Sequence, residues 1–326
     1  MKKNVALIAG GYSGEYEISI MSGQQIAKHI DNERFVTYLI IVTKKNWYYT
    51  DEENNRYEID KNDFSLTIKG KKIKFDVAYM IIHGVPGENG QLQGYLDLMG
   101  IPYTGCDMYA SAVTFNKYYC KSIAASVGIP TSKSYFLTKD EYDVDAIIEK
   151  IGLPCFVKPN KNGSSVGITK VYEKNKLGEA IDKAFAADNE VLIENFVKGR
   201  EFACGVFNKN GTNIVLPVTE IIAKNDFFDY EAKYTSGKSD EVTPADIDEE
   251  TAATISAYTN LMYETLHCKG LVRVDFIATD EQVTFLEVNA IPGMSAASII
   301  PKQLGCYGIE MDEIVNLLLD EALDSK

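Results

Sequence analysis

Few features of the sequence point to a secreted, zinc-binding or membrane-spanning protein. The six cysteines are scattered singly, without the paired spacing of a zinc site or the density of a disulfide scaffold. No apolar run approaches the length of a membrane span, and residues 5–9 form too short a run for a signal peptide. We therefore expect reduced thiols, a cytoplasmic location and no membrane partner.

Positive charge is also scarce. The 33 lysines and arginines are outnumbered by 47 aspartates and glutamates, which gives a net charge of −14 and a pI near 4.8. This balance argues against a nucleic-acid partner, and an anionic ligand would need local cations set against the overall field. With 326 residues, 45% of them hydrophobic, the chain has room for two or three domains.

Several common catalytic motifs are absent. No Gly-x-Gly pair occurs, which excludes a dinucleotide fingerprint, and the Gly/Ser stretch at residues 163–167 is not followed by the Gly-Lys-Ser/Thr of a Walker A loop. The chain also has no serine nucleophile elbow and no Ser-His-Asp or Cys-His arrangement. These absences leave no candidate protein nucleophile.

The clearest pattern that is present lies at residues 271–293. Two segments of alternating apolar and polar residues, joined by a short polar turn, predict an antiparallel hairpin. Arg273 and Asp275 share one face of the first strand, and Glu287 and Asn289 share one face of the second. Three oxygen-bearing side chains on one small surface suit a hard cation such as Mg²⁺. The alternative is an outer sheet face with a solvated ion pair.

Two strand ends in the first third of the chain carry candidate binding residues. An apolar strand at residues 5–9 leads through a glycine turn to Glu15, and a strand at residues 77–82 ends at His83. Ligands of open α/β sheets bind at the carboxyl ends of strands, so both side chains are predicted to face one crevice. Glu15 could hold an ammonium group. The alternatives are a surface acid beside a helix start and a structural histidine.

The middle of the chain offers groups that suit a nucleotide. A predicted helix at residues 108–127 carries Lys117, and a predicted strand at residues 154–158 ends in Lys158. The Gly/Ser loop that follows could close over phosphate, although a flexible hairpin tip is the alternative. Glu194 and Glu201 flank a strand and turn that could bind adenine and ribose, which is weak evidence by itself.

Residues 223–244 form a long polar segment with four aromatic residues among eight. This composition predicts a lid that could deliver Lys233 and Tyr234, and it argues against a disordered insertion. The Asn210-Gly211 pair predicts a tight hairpin, and helices are predicted at residues 249–266 and 311–322.

Together these stretches resemble one family, the D-alanine–D-alanine ligases of the ATP-grasp superfamily. The matching motifs run in order over nearly the whole chain: Gly10-Gly-x-Ser-x-Glu15, His83-Gly-x-x-Gly-Glu-x-Gly-x-x-Gln93-Gly, Gly100-Ile-Pro-Tyr-Thr-Gly105, Phe156-Val-Lys-Pro159, Gly163-Ser-Ser-Val-Gly167, Glu231-Ala-Lys-Tyr234, Arg273-Val-Asp275, and Glu287-Val-Asn289 with Pro292-Gly-Met294. Each motif is weak alone, and the ordered set is specific. The sequence departs from the commoner pattern at Asn116 and Ala290, where Asp and Thr often stand, and neither position is an expected ligand.

The resemblance implies an α/β ATP-grasp fold with three domains. These are a Rossmann-like substrate domain with a parallel sheet at residues 1–115, a central ATP-grasp subdomain at residues 116–200, and a C-terminal ATP-grasp and catalytic domain at residues 201–326. The lid at residues 223–244 belongs to the last of them. A homodimer is also expected from the resemblance.

The resemblance further implies roles for individual residues. The expected ATP-binding residues are Lys117, Lys158, Ser164, Ser165 and Lys233 at the phosphates, Glu194, Phe196 and Val197 at adenine, and Glu201 at ribose. The expected ligands of two Mg²⁺ ions, replaceable by Mn²⁺, are Asp275, Glu287 and Asn289. Glu15 would bind the ammonium of the first D-alanine, with His83 at the same end and with Ser164 and Tyr234 in a network beside it. Arg273, the Gly293 N–H and Ser298 would contact the second amino acid or the oxyanion.

The implied reaction joins two D-alanines at the expense of ATP, through a D-alanyl phosphate, to give a precursor of peptidoglycan. A ligase that makes D-alanyl-D-serine or D-alanyl-D-lactate is the nearest alternative, and Tyr234 resembles the D-alanine version. A nucleotide-binding protein without turnover is a second alternative. The complete set of cations and metal ligands argues against it.

Overall fold

The computed structural model describes residues 2–138, 141–163, 167–223 and 239–324, and within them three β-sheets organise the chain. The first sheet holds β1 (Lys3–Gly10), β2 (Phe35–Val42), β3 (Trp47–Thr50), β4 (Arg56–Asp60), β5 (Ser65–Ile68), β6 (Lys71–Ile73) and β7 (Val77–Met80). Their order in the sheet is β6-β5-β4-β3-β2-β1-β7. Helices α1 (Tyr16–Ala27) and α2 (Gln91–Met99) follow β1 and β7 along the chain.

The parallel part of this sheet positions the first candidate residues. Strand β1 pairs in parallel with both β2 and β7, and its residues 5–9 are completely buried, as the apolar run predicts. Glu15 and His83 therefore follow the carboxyl ends of neighbouring strands. Strands β3 to β6 extend the sheet in antiparallel fashion, an extension that the sequence analysis does not predict.

The single helix predicted at residues 108–127 is wrong, because the structure has two helices there. Helix α3 (Met108–Phe115) and helix α4 (Lys117–Ser126) meet at Asn116, whose backbone is extended. The Asn116 side chain caps α4 by accepting a hydrogen bond from the Tyr119 N–H at 3.0 Å. This break places Lys117 at the first position of α4.

The second sheet is antiparallel and has the order β10-β9-β11-β8. Its strands are β8 (Ser134–Leu137), β9 (Cys155–Pro159), β10 (Thr169–Val171) and β11 (Val191–Asn195). Helices α5 (Val144–Ile151) and α6 (Leu177–Phe185), the latter preceded by the 3₁₀ turn Lys174–Lys176, bury their apolar faces against it. The Gly/Ser loop connects the paired strands β9 and β10.

The third sheet contains the predicted hairpin. Its strands are β12 (Arg200–Lys209), β13 (Thr212–Val215), β14 (Thr219–Ala223), β15 (Ser239–Val242), β16 (Val272–Ala278) and β17 (Val283–Asn289), with α7 (Glu249–Thr265) packed on one face. The predicted antiparallel pairing of residues 271–293 is confirmed in β16 and β17, and the predicted turn at Asn210-Gly211 is confirmed between β12 and β13.

The chain closes with α8 (Ile299–Tyr307) and α9 (Met311–Asp324). Helix α9 returns to the first sheet, where Ile314, Val315, Leu318 and Leu319 join the core that contains residues 5–9 of β1. Hydrogen bonds from the Asp31 N–H to Asn316 Oδ1 (3.0 Å) and from Asn316 Nδ2 to the His29 carbonyl (2.9 Å) fix the contact. Across the described part of the chain, no helix combines the length and the apolar character that a membrane crossing requires.

Candidate active site

A cavity of about 320 Å³ lies between the carboxyl ends of β1 and β7, the start of α4 and the β16–β17 hairpin. Its wall includes candidate residues for substrate, phosphate and metal: Glu15, His83, Lys117, Arg273, Glu287, Asn289, Gly293 and Ser298. It also includes Glu88, an acid to which the sequence analysis assigns no role. Residues far apart in the chain therefore meet in one place.

The hairpin supplies a guanidinium held by a carboxylate. Strand register sets Arg273 opposite Asn289 and Asp275 opposite Glu287. Arg273 donates from Nε and Nη2 to the two oxygens of Asp275, both at 2.8 Å, and Asn289 Nδ2 donates to Asp275 Oδ2 at 2.9 Å. Asp275 is 5% exposed, so this bidentate pair is well shielded from water. The alternative of a solvated outer face does not apply here.

Lys117 brings a second cation to the cavity. Its Nζ lies 3.0 Å from Glu287 Oε2 and donates to the Asn162 carbonyl at 3.1 Å. Burial acts to lower the pKa of Lys117, but the Glu287 carboxylate outweighs it and raises the pKa above its ordinary value. The ammonium therefore stays charged at neutral pH and suits an anionic ligand.

The expected metal ligands form an oxygen-donor set on one face of the hairpin. Among the described residues, no group of three or more His, Cys, Asp and Glu side chains is arranged to hold a metal. The candidate set is instead two carboxylates, Asp275 and Glu287, with the amide oxygen of Asn289. These donors fit a hard cation that completes its coordination with phosphate and water, so the residues present suit Mg²⁺.

Glu15 and His83 meet across the cavity, as the sequence predicts. His83 is 5% exposed, and its Nδ1 donates to the Ile291 carbonyl at 3.0 Å, which leaves Nε2 as an acceptor. That buried Nε2 has no hydrogen-bond partner in the described structure. Burial lowers the pKa of His83, while Glu15 opposes the shift. A neutral imidazole and a carboxylate together make a site for an ammonium group.

The loop glycine Gly163 comes close to Glu15. A Cβ placed on Gly163 would lie 3.2 Å from Glu15 Oε2, so a side chain there would press on the carboxylate. The first glycine of the Gly/Ser loop therefore lets the backbone approach the amino-acid end of the cavity.

Glu88 is a site residue that the sequence analysis missed. It accepts a hydrogen bond from the Gly84 N–H at 2.7 Å and lines the cavity with Glu15. Burial, with the nearby Glu15 carboxylate adding to it, raises the pKa of Glu88 to about 8. The available signal was its place in the glycine-rich motif that begins at His83, because a turn there folds the acid back toward the strand end.

Gly293 and Ser298 close the hairpin end of the cavity. A Cβ on Gly293 would lie 2.8 Å from Ser298 Oγ, so a larger residue at Gly293 would collide with Ser298. Ser298 precedes the first residue of α8, and its Oγ lies 2.8 Å from Ser295 Oγ. The Gly293 backbone and the Ser298 hydroxyl thus lie close together.

Apart from Lys117, the predicted nucleotide residues that the structure describes are not among those that line this cavity. Lys158 forms an ion pair with Glu194, which is 5% exposed and also pairs with Lys121. Phe196 follows β11, and its ring lies 3.9 Å from Lys170 Nζ. Val197 and Glu201 follow on the turn into β12 and at its start. The structure thus brings Lys158 and Glu194 together and places the remaining three on one short segment.

Four predicted site residues lie outside the described residues. They are Ser164 and Ser165 of the Gly/Ser loop and Lys233 and Tyr234 of the lid. Their roles stay predictions from the sequence.

Comparison with known proteins identifies a single family. The family model described as "D-ala D-ala ligase N-terminus" matches residues 4–106, and the model described as "D-ala D-ala ligase C-terminus" matches residues 123–320. A D-alanine–D-alanine ligase of Flavobacterium johnsoniae is 45% identical over 322 residues, covering 98% of this chain and 99% of the relative. One from Phocaeicola vulgatus is 44% identical with the same coverage.

Solved structures of similar shape agree with this result. D-alanyl-alanine synthetase A from Vibrio cholerae matches with a TM-score of 0.90 and 32% identity over 99% of both chains. D-alanine–D-alanine ligase from Bacillus anthracis complexed with ATP matches with a TM-score of 0.80 and 30% identity, over 100% of this chain and 98% of the other. The VanG D-Ala:D-Ser ligase from Enterococcus faecalis has a TM-score of 0.86 and 32% identity over 98% of this chain and 99% of its own. The predicted α/β ATP-grasp fold is thereby confirmed.

Proposed function

Because this chain belongs to the D-alanine–D-alanine ligase family, whose members join two D-alanines at the expense of ATP, we propose that it does so with the residues gathered around the central cavity. The overall reaction gives D-alanyl-D-alanine, ADP and phosphate, and the dipeptide enters peptidoglycan synthesis. The observation that carries the residue assignment is the convergence of Glu15, Lys117, Arg273 and Glu287 on one cavity.

The first step requires two anions to approach each other. The carboxylate of the first D-alanine attacks the γ-phosphate of ATP, forms an acyl phosphate and releases ADP. Lys117 and Lys158 supply positive charge on the nucleotide side, inside a protein whose overall charge is negative. Mg²⁺, held by Asp275, Glu287 and Asn289, would neutralise the phosphates further.

Glu15 and His83 hold the first amino acid in this proposal. The ammonium group of D-alanine donates to the Glu15 carboxylate, and the His83 Nε2 acceptor lies at the same end of the cavity. A neutral His83 adds no repulsion to a cationic ligand, which agrees with the lowered pKa of this residue. The pair thereby directs the substrate carboxylate away from itself and toward the phosphates.

The second step forms the peptide bond. The amine of the second D-alanine attacks the carbonyl carbon of the acyl phosphate. Negative charge develops on the carbonyl oxygen before phosphate leaves. The Arg273 guanidinium and the Gly293 N–H are the proposed donors to this oxyanion, with Ser298 beside them. Asp275 orients Arg273 through the bidentate pair, so the donor is fixed in place before substrate binds.

The experiment that tests the proposed function measures phosphate release with ATP and each of D-alanine, D-serine and D-lactate, with product identification. We expect phosphate release that depends on D-alanine and yields D-alanyl-D-alanine. Release without an amino acid, or none at all, would favour the nucleotide-binding alternative. A product that contains D-serine or D-lactate from mixtures with D-alanine at neutral pH would identify the alternative ligases.

The proposal also includes the larger-scale features expected from the resemblance. We propose a homodimer, supported by the exposed apolar side chains of Leu98 on α2 and Tyr109 on α3, and light scattering of the purified protein would test it. We also propose the three domains with the boundaries given above. The six free cysteines support a reducing, cytoplasmic environment.

A further inference from the structure

Lys121 is a buried lysine that the proposed mechanism does not use, and it contacts Glu194, one of the proposed nucleotide residues. Lys121 is 4% exposed and follows Lys117 by one turn of α4. Its Nζ donates to the Ser132 carbonyl (3.1 Å), to Ser132 Oγ (2.7 Å) and to Glu194 Oε1. Lys158 contacts the other oxygen of the same carboxylate. Two lysines therefore share one buried glutamate.

The two lysines differ in how firmly they are held. Lys121 has two contacts with Ser132 besides Glu194, and Ser132 Oγ itself donates to Glu194 Oε1 at 2.9 Å. The side chain of Lys158 is more exposed than that of Lys121, at 14% against 5%. The greater exposure of Lys158 makes it the lysine that can turn toward a ligand, while the contacts with Ser132 hold Lys121 at Glu194.

Movement of Lys158 to the phosphates would change the charge balance around Glu194. A buried carboxylate that loses its cation is strongly destabilised, and Glu194 is almost completely buried. Lys121 is the lysine that remains in contact with Glu194. Burial, with the adjacent Lys158 ammonium adding to it, lowers the pKa of Lys121 to about 6. Departure of Lys158 removes one of the two causes, so the charged form of Lys121 becomes more favourable when it is needed.

We propose that Lys121 is a positioning residue for nucleotide binding: it stays hydrogen-bonded to Glu194, becomes the counter-cation of that carboxylate when Lys158 leaves, and so releases Lys158 to bind the phosphates. The inference rests on the proposed function, which assigns Lys158 and Glu194 to ATP. It explains why a second lysine is buried at a carboxylate that Lys158 already neutralises.

The test compares two ligands that differ only in phosphate. In Lys121→Met, we expect the Kd of ADP to rise by about tenfold, equivalent to about 1.4 kcal/mol. The Kd of adenosine, measured by competition with ADP, should stay nearly unchanged because adenosine does not require Lys158 to leave Glu194. Equal weakening of both ligands would show a distorted adenine pocket and overturn the inference, as would an unchanged Kd for ADP. Lys150→Met, at an exposed lysine of α5, is the matched control.

Two further variants separate this inference from the function on which it rests. In a Glu194→Gln background no carboxylate needs compensation, so adding Lys121→Met should leave ADP affinity unchanged, and a further tenfold loss there would contradict the inference. Lys158→Met tests the phosphate assignment itself, and unchanged ADP affinity in that variant would refute the proposed nucleotide site. Weakened ADP binding in Lys158→Met but not in Lys121→Met would refute the role of Lys121 alone. Thermal unfolding of each variant verifies that it folds.

Discussion

At the scale of single residues, Arg273 has the most specific geometry in the cavity. Two of its N–H groups are committed to Asp275, and the guanidinium lines the wall where the oxyanion is proposed to form. An arginine held in this way needs little reorganisation when charge develops on the substrate. Its contribution should therefore be to the chemical step rather than to nucleotide affinity.

We expect Arg273→Ala to lower kcat by at least about 10²–10³, because one oxyanion donor is lost, and to leave the Kd of ADP nearly unchanged. Steady-state kinetics and calorimetric titration with ADP measure the two quantities. Arg200→Ala is the control, since Arg200 forms its ion pair with Glu220 outside this cavity. Near-normal turnover of Arg273→Ala would refute the assigned role.

Glu88 offers a prediction about pH. Its pKa rises from an ordinary value of 4.5 to about 8 in the folded chain, so the folded state favours the protonated acid. The resulting stabilisation is complete below about pH 4.5 and is lost as pH rises through about 8. We expect Glu88→Gln, which cannot ionise, to lose less stability than the wild type between these pH values.

Thermal unfolding of both proteins across this range measures the effect of Glu88→Gln, with Glu52→Gln at an exposed acid as the control. Parallel pH profiles for wild type and Glu88→Gln would contradict the prediction.

At the scale of elements, the break between α3 and α4 positions Lys117, the lysine proposed to bind phosphate. Asn116 Oδ1 accepts hydrogen bonds from the Tyr119 N–H and from Asn160 Nδ2 (2.9 Å). One side-chain amide therefore caps the start of α4 and links it to Asn160, the residue that follows β9. Lys117 follows directly and reaches Glu287. The cap thus fixes the direction from which this lysine enters the cavity.

We expect Asn116→Ala to reduce the free energy of unfolding by about 1 kcal/mol, the usual cost of a lost N-cap, and to raise the KM for ATP. Asp143→Ala, which removes the cap of α5, is the matched control. Both variants should lose stability in denaturant titrations, but only Asn116→Ala should affect ATP. An equal KM for ATP in the two variants would contradict the prediction, because it would show that the Asn116 cap does not control the position of Lys117.

Elements with a strong local sequence pattern could be predicted, whereas elements with a weak pattern could not. The hairpin at residues 271–293 was found because its alternation matches two pleated strands with unlike faces. The α3–α4 break was missed because Asn116 interrupts an otherwise continuous helical pattern, and a cap shows itself only through backbone geometry. Short strands such as β5 and β6 bury too few residues to stand out in sequence. Lys121 was missed because burial of a lysine depends on contacts with Ser132 and Glu194 from distant segments.

At the scale of the whole molecule, the last helix completes the first sheet. Leu319 of α9 is fully buried in the core that contains β1 and β7, and Asn316 hydrogen-bonds to the carbonyl of His29, two residues after α1. Amphipathic spacing predicted the helix but could not predict its partner, because the partner lies about 300 residues earlier in the chain. The strands that present Glu15 and His83 are therefore supported from the opposite end of the sequence.

We expect Leu319→Ala to lower the free energy of unfolding by about 2–5 kcal/mol, since it leaves a cavity in this shared core. Urea unfolding measures the change. The control is Glu313→Ala, also on α9, which removes an exposed ion pair with Lys209 of β12. It should change the free energy of unfolding by less than about 1 kcal/mol. A loss for Leu319→Ala no larger than that of Glu313→Ala would show that α9 is not integral to the first sheet.

The return of α9 to the first sheet also sets the order in which the molecule can mature. Translation delivers β1 before α9, so the face that α9 covers stays open while the ribosome makes everything in between. A nascent chain with such a face is prone to association and is a natural client for chaperones. Final closure of this core must therefore wait until α9 has left the ribosome.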